Sequence, residues 1–282
     1  MTRVAIVTDS TSDLPPELVE RYRIKVVPLN VHFGMEVYRD QIDLTTDAFM
    51  ERLSKAKELP TTSQPSSGLF EETFRRLATD HDAIVAVLIS EKLSGTVQSA
   101  TIARDAVANM VPVEIVDSRN ATMGLGFHAL QAAELAAQGV TASEIARRLR
   151  TRTGAVHVVF FVDTLEYLQR GGRIGKAASL VGGLLNLKPL LRVDEGQIVP
   201  FERTRSRKRA TQGLIDFVRG FPRLDRLSVL HNTTMAEANA LADQLAGTIP
   251  REEIVISRFS PVIGTHVGPG AMGVAVSEGE GG

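Results

Sequence analysis

The chain has 282 residues, a net charge of −1, 43% hydrophobic and 23% charged residues, and neither cysteine nor tryptophan. These totals exclude disulfides, thiolate catalysis and cysteine-held metals. They offer no basic field for nucleic acid, and 5% aromatics leave little base-stacking surface. The length suits two domains of ordinary size. The longest mostly apolar run, Ser179 to Leu187, is too short to span a bilayer. Met1-Thr2-Arg3-Val4 enters a strand pattern with no signal peptide before it, so a cytoplasmic location is expected.

In chain order, Val4 to Val7 reads as a strand that ends in the polar cluster Thr8-Asp9-Ser10-Thr11-Ser12-Asp13, before a helix entered through Pro15-Pro16. Ile24 to Val31 reads as one further strand. Thr45 to Leu53 carries a cap and apolar residues at helical spacing. Pro60 to Gly68 is a hydroxyl-rich loop, followed by a helix from Leu69 to Ala78. Ile84 to Ile89 is six apolar residues long, which suits a strand buried on both faces. It runs through Ser94-Gly95-Thr96 into a helix. Val113 to Val116 is a strand ending in Asp117-Ser118, and helices follow from Gly124 to about Ala137 and from Ser143 to Arg150.

Strands alternating with helices to about residue 150 predict a mostly parallel sheet with helices on both faces. Ligands of such sheets sit beyond the carboxyl ends of the strands. Asp9-Ser10, Ser94-Gly95-Thr96 and Asp117-Ser118 all fall at such ends and are expected to share one cleft. Beyond His157 to Val162 the pattern changes. Ile174 to Leu185 is helix-like but crowded with Ala177, Ala178, Gly182 and Gly183, where tight packing and room for a ligand chain are both open readings. Leu187 to Val193 and Gln197 to Phe201 form a hairpin around Asp194-Glu195-Gly196. The basic run Arg203 to Arg209 begins a helix, strands at Leu227 to His231 and Glu253 to Ser257 flank the helix Met235 to Leu245, and a glycine-rich loop holds His266. The expected organisation is α/β: an N-terminal domain over 1–155 and a smaller C-terminal α/β domain over 156–282.

Ser94 or Thr96 could cap a helix or bind an anion. His266 could be a structural hydrogen-bonding residue, or could meet a ligand that its glycine neighbours let approach. Arg170-Gly-Gly-Arg173 could end a helix or grip an anion, and Arg203 to Arg209 could be a solvated face or a docking site for an acidic partner or lipid head groups. The sequence lacks a P-loop, and Gly124-Leu125-Gly126 lacks the third glycine of a dinucleotide fingerprint. The six histidines show no metal-ligand spacing. Ser94 lacks the glycines of a nucleophile elbow, although a hydrolase using Ser94 and His266 is an alternative. A small-anion sensor with a shorter cleft is another.

Asp9-Ser10-Thr11-Ser12-Asp13-Leu14-Pro15, Thr62-Ser63-Gln64-Pro65-Ser66, Leu93-Ser94-Gly95-Thr96 and Val116-Asp117-Ser118 follow one another along the chain. Leu165-Glu166-Tyr167-Leu168, Gly171-Gly172-Arg173-Ile174, Leu187-Lys188-Pro189 and His266-Val267-Gly268-Pro269-Gly270 complete the series. In this order the motifs resemble the DegV family, which includes the fatty-acid-binding subunits of bacterial fatty acid kinase. The resemblance implies two α/β domains that hold a long-chain fatty acid in an apolar tunnel, with the ligand at the domain interface. Its carboxyl group would meet Thr62, Ser94 and His266, supported by Ser63, Gly95, Thr96, Asp9, Ser10 and Gly268. It further implies a carrier without catalytic machinery of its own and without a cofactor, which presents the carboxyl to a separate ATP-dependent kinase subunit. Arg173, Arg203 and Arg205 are the candidate partner contacts, and transient contact with a membrane surface fits the same role. Two hydroxyls and an imidazole would supply donors without a fixed cation. A sixteen-carbon tail buried at ~0.8 kcal/mol per methylene supplies ample drive after ordering costs.

Overall fold

The computed structural model describes residues 3–182 and 188–279. The first half runs β1 (Val4–Asp9), α1 (Pro16–Arg21), β2 (Lys25–Val27), β3 (Asn30–Phe33), β4 (Glu36–Arg39), α2 (Thr46–Lys55) and β5 (Thr61–Ser63). It continues with α3 (Ser67–Leu77), β6 (Ala83–Leu88), α4 (Thr96–Ala106), β7 (Val113–Asp117), α5 (Thr122–Ala137) and α6 (Ala142–Arg152). The second half runs β8 (Val156–Phe161), α7 (Glu166–Arg170), β9 (Leu190–Asp194), β10 (Gln197–Glu202), α8 (Arg207–Arg219) and β11 (Leu224–His231). It ends with α9 (Met235–Leu245), β12 (Ile254–Arg258), α10 (Pro261–Val267) and β13 (Met272–Glu278).

Strands β2-β1-β6-β7 form a sheet that is parallel throughout. Every residue of β6 is buried, as its unbroken apolar run requires. Ile84, Ala86 and Leu88 point into one core with Phe70 and Phe74 of α3, while Val85 and Val87 point into another. The second sheet, β10-β9-β8-β13-β11-β12, is mixed: only β11 and β12 pair in parallel. Between the sheets lies α5, which is buried along nearly its whole length and contacts β1 and β6 on one side and β8, β13 and β11 on the other. A helix apolar all round belongs in such an interior layer. Residues of both sheets therefore share one continuous core with α5. Gly124, weighed above as part of a dinucleotide fingerprint, serves this packing: a Cβ there would lie 2.6 Å from a Val158 methyl.

Several sequence expectations need correction. Ile24 to Val31 is two strands, because Pro28 can neither donate to the ladder nor continue it. β2 stays on the parallel sheet, while β3 joins β4 and β5 in a separate antiparallel sheet. Thr61–Ser63, read as loop, is the edge strand β5 of that sheet. The segment after Ile174 is a short 3₁₀ turn over Gly175–Leu180; Gly183 to Leu185 and Leu187 lie outside the described residues. The second sheet, with six strands against four, is the wider of the two. The helix expected to open within the basic run starts at Arg207, after the Ser206 cap, so Arg203 and Arg205 precede it and are exposed. His266 is in the last turn of α10 rather than in a glycine loop.

Three buried carboxyls stitch the N-terminal segment into this frame. Asp9 accepts from the backbone N–H of Thr11 at 3.0 Å and of Ile89 at 2.8 Å, and from the Thr11 hydroxyl. Asp13 and Asp40 accept from the backbone of Ser260 and Val262 at the start of α10. Burial pushes the Asp9 carboxyl up to about 6 and Asp40 up to about 7, from an ordinary 3.8. The folded chain thus retains the Asp40 proton at pH values where the unfolded chain has lost it. This group's contribution to stability is fully present below its unfolded value and is lost as pH rises toward 7. Asp40→Asn removes that loss. Urea unfolding across pH 4 to 8 is expected to show the variant gaining on the wild type by at most about 1.4 kcal/mol per pH unit; parallel stability curves would contradict the assignment.

Candidate functional site

The cavity that gathers the predicted residues lies between the two sheets, at the N-terminal end of α5. It leaves about 740 Å³ unfilled by protein atoms, open mouth included. Its walls are apolar: Val158 and Phe160 of β8, Val193 of β9, Ile198 of β10, and Leu168, Phe259, Val262 and Ile263 around them. The register of the second sheet puts these side chains here. Val158 and Val193 are direct cross-strand partners on one face of the β8–β9 ladder, and β-branched residues suit such a half-covered surface.

The polar lining is Thr62, Ser63, Gln64, Ser94, Arg173 and His266, with Thr122 apart from them. Thr62 Oγ1 and His266 Nε2 share a hydrogen bond of 2.9 Å. Thr62 is fixed by the pairing of β5 with β3, opposite Val31. His266 is fixed by α10, which packs against α7, α2, β3 and β5. Burial pushes its imidazole down to about 4, and the Arg173 charge adds to the effect, so the ring is neutral near pH 7. Its Nδ1 is buried without a hydrogen-bond partner. The Gly171 Cα faces that nitrogen so closely that a Cβ would collide with Nδ1.

Ser94 lies in the turn between β6 and α4. The N-cap of α4 is Gly95, with no side-chain cap bond, so neither Ser94 nor Thr96 is a cap. Instead their hydroxyls share a 2.9 Å hydrogen bond, and Gln64 packs against Gly95. Arg173 donates to the Leu93 carbonyl at 3.1 Å and the Gly171 carbonyl at 2.8 Å. This holds a cation against the cavity mouth, contrary to the expectation of a collar without one.

The three strand ends do not share one cleft. Asp9 is consumed by backbone donors, and the Ser10 hydroxyl accepts from the Leu29 N–H at 3.0 Å, so both brace the fold behind the cavity. Asp117 instead borders a separate, more open groove of about 860 Å³, solvent side included, with Arg104, Arg119 and Arg150. Gly95 and Thr96 stand just behind Ser94, and Gly268 ends α10. Arg203 and Arg205 do not line the cavity. The sequence reading missed the parts played by Gly171 and Gln64. The Gly-Gly-Arg spacing was the available signal for Gly171, and Gln64 carried none beyond its neighbours.

Among the described residues, Ser94 and His266 share no hydrogen bond, and no carboxylate meets His266 Nδ1. A nucleophile–base–acid relay needs both links. The described residues hold no group of acidic, histidine or cysteine side chains able to bind a metal, and no helix long and apolar enough to cross a membrane. What the arrangement offers is a dry apolar slot ending in hydroxyls, a neutral imidazole and one guanidinium.

Known proteins share this architecture. A DegV domain-containing protein of Streptomyces coelicolor is 41% identical over 281 residues, covering 97% of this chain and 98% of its own. The crystal structure of DegV, a fatty acid binding protein from Bacillus subtilis, superposes with a TM-score of 0.90 at 37% identity, covering 99% of this chain and 100% of that one. A DegV family protein from Thermus thermophilus, described for its fatty acid binding, matches with a TM-score of 0.88 at 37% identity over 98% and 99% of the two chains. The model of a family of uncharacterised proteins named DegV matches residues 3–279, and the chain belongs to the DegV family.

Proposed function

We propose that this chain is a carrier that binds a long-chain fatty acid. The acyl tail occupies the apolar cavity, and the carboxyl group meets Thr62, Ser94 and His266. The observation that carries this reading is the pairing of an apolar slot with a polar mouth whose histidine is neutral and already bonded to Thr62. With the imidazole proton on Nε2, His266 donates to Thr62 Oγ1 and frees the Thr62 hydroxyl to donate to the ligand. That tautomer leaves an acceptor rather than an N–H unpaired at Nδ1, and orphaned donors are the rarer case in proteins. Arg173 adds a cation at the mouth, which favours an ionised carboxylate or an acyl-phosphate. Residues 1–155 supply most of the carboxyl collar, and residues 156–282 supply His266, Arg173 and much of the tail wall. Two solved relatives at 37% identity are described as binding fatty acids, which supports the reading.

In the same proposal the chain does not activate the acid itself. It hands the carboxyl to a separate ATP-dependent kinase subunit in the cytoplasm. Arg203 and Arg205, exposed beside the start of α8, are its partner contacts. The missing Ser94–His266 link supports a carrier over a stand-alone hydrolase. The purified chain is expected to hydrolyse no p-nitrophenyl acyl ester and to form no acyl-phosphate from ATP and palmitate until a kinase subunit is added. Ester turnover abolished by Ser94→Ala would reverse this assignment.

Native mass spectrometry of delipidated protein mixed with palmitate is expected to show one fatty acid per chain. Delipidated protein that takes up none defeats the reading. Ser94→Ala and Thr62→Val are expected to weaken palmitate binding about tenfold each while leaving the fold intact, the cost of one lost polar contact in a dry site. Gly171→Ala should be at least as damaging, because the added methyl must displace the His266 ring. Palmitate titration that finds Gly171→Ala equal to the wild type would show that the ring position is not critical.

A further inference from the structure

We infer that Asp13 and Asp40 are positioning residues for His266: they hold the opposite end of α10 through its backbone, and so set where the imidazole meets Thr62. The inference rests on the fatty-acid reading of the cavity. α10 is seven residues long, too short to be stable by itself. Its place is therefore set by its packing on α7, α2, β3 and β5 together with what grips its ends. At the far end His266 is held by Thr62 and confined by Gly171.

At the near end the grip comes from the first half of the chain. The Ser260 N–H donates to Asp13 Oδ1 at 3.0 Å, and the Val262 N–H donates to Asp40 Oδ1 at 3.3 Å. The Ser257 hydroxyl donates to the Asp13 carbonyl oxygen, adding a second tie to the same residue. Asp13 makes these contacts from a left-handed backbone, φ 50°, a conformation uncommon outside glycine and asparagine.

Among the described residues, no cation offsets these two buried acids. Asp9 and Asp13 face Asp40, as do the Ser10 and Ser260 hydroxyls, and the Thr122 hydroxyl faces Asp13. On α10 the titratable group is His266 itself, at the other end. On β12, Arg258 is engaged by Asp47 of α2 and by the Asn232 carbonyl. What compensates the carboxyls is the set of free N–H groups at the helix start. Two acids buried without a cation are a costly way to seat a helix, and the helix seated is the one that carries His266.

The test uses the delipidated full chain, palmitate as the probe, and the His266 ring followed by NMR. Asp13→Ala and Asp40→Ala are each expected to weaken palmitate binding about tenfold or more. They should also raise the pH at which His266 titrates from about 4 toward the ordinary 6.5, because a loosened ring gains water. Asp13→Asn and Asp40→Asn keep an acceptor oxygen, and should stay within about threefold of the wild type with an unchanged His266 titration. Glu134→Gln, which weakens the Arg226–Glu134 pair on the far side of α5, should lower thermal stability without moving either readout.

Folded alanine variants with wild-type affinity and wild-type His266 titration overturn the inference, as do asparagine variants as weak as the alanine ones. Should the alanine variants not fold, a tenfold loss or a shifted His266 titration in the asparagine variants overturns it instead. Wild-type protein that takes up no palmitate defeats the fatty-acid reading itself, a result the variants cannot produce.

Discussion

The arrangement depends on α5 having no polar face. A helix of this kind cannot end a layer against water; it must be covered on both sides, and here a parallel sheet covers one side and a mixed sheet the other. The two sheets consequently share one core. The cavity lies where that shared layer begins, with Ala121 and Thr122 at its wall. Beyond this end of the helix the sheets are no longer held apart by a packed rod. The space between them is closed instead by the ends of β5, the turn before α4, and α10.

Those three pieces come from distant parts of the sequence, and each has its own anchor. β5 is held by the ladder to β3, and the Ser94 turn by hydrogen bonds of Leu93 and Ser94 back to Ser90. α10 is held by buried acids and by close packing of Gly264 on Phe49, whose ring a Cβ would approach to 2.9 Å. Arg173 ties the Ser94 turn to the end of α7, against His266, by bonding the Leu93 and Gly171 carbonyls. Burial, with the Arg173 charge adding to the effect, keeps the neighbouring imidazole unprotonated. The mouth thus holds one permanent positive charge and a set of neutral donors, a combination suited to a single carboxylate.

Much of this was legible in the sequence. The apolar run of β6 announced a doubly covered strand, and the Ser-Gly-Thr turn after it marked a strand end that faces the cavity. The resemblance carried by the ordered motifs brought Thr62, Ser94 and His266 to one site. What escaped the reading was local or collective. Pro28 divided a strand because its missing N–H matters only once a ladder partner is known. His266 was read as loop because the glycines that follow α10 outweighed the short helical run before them. Arg173 was left between anion grip, helix end and partner contact, because a guanidinium's direction is set by which carbonyls stand near it. Asp9 and Asp117 were drawn to the cleft by strand-end geometry alone, which does not tell a side chain consumed by backbone donors from one left free.

The apolar walls of the cavity are themselves core: Val158, Phe160 and Leu168 belong to the same packed cluster as the centre of α5. Under the proposed function, an acyl chain in that space completes the interior as a missing side chain would. Folding and ligand uptake are then thermodynamically linked, with native stability rising about 1.4 kcal/mol for each tenfold excess of free ligand over Kd. Under that proposal the melting temperature of this protein becomes a gauge of lipid supply.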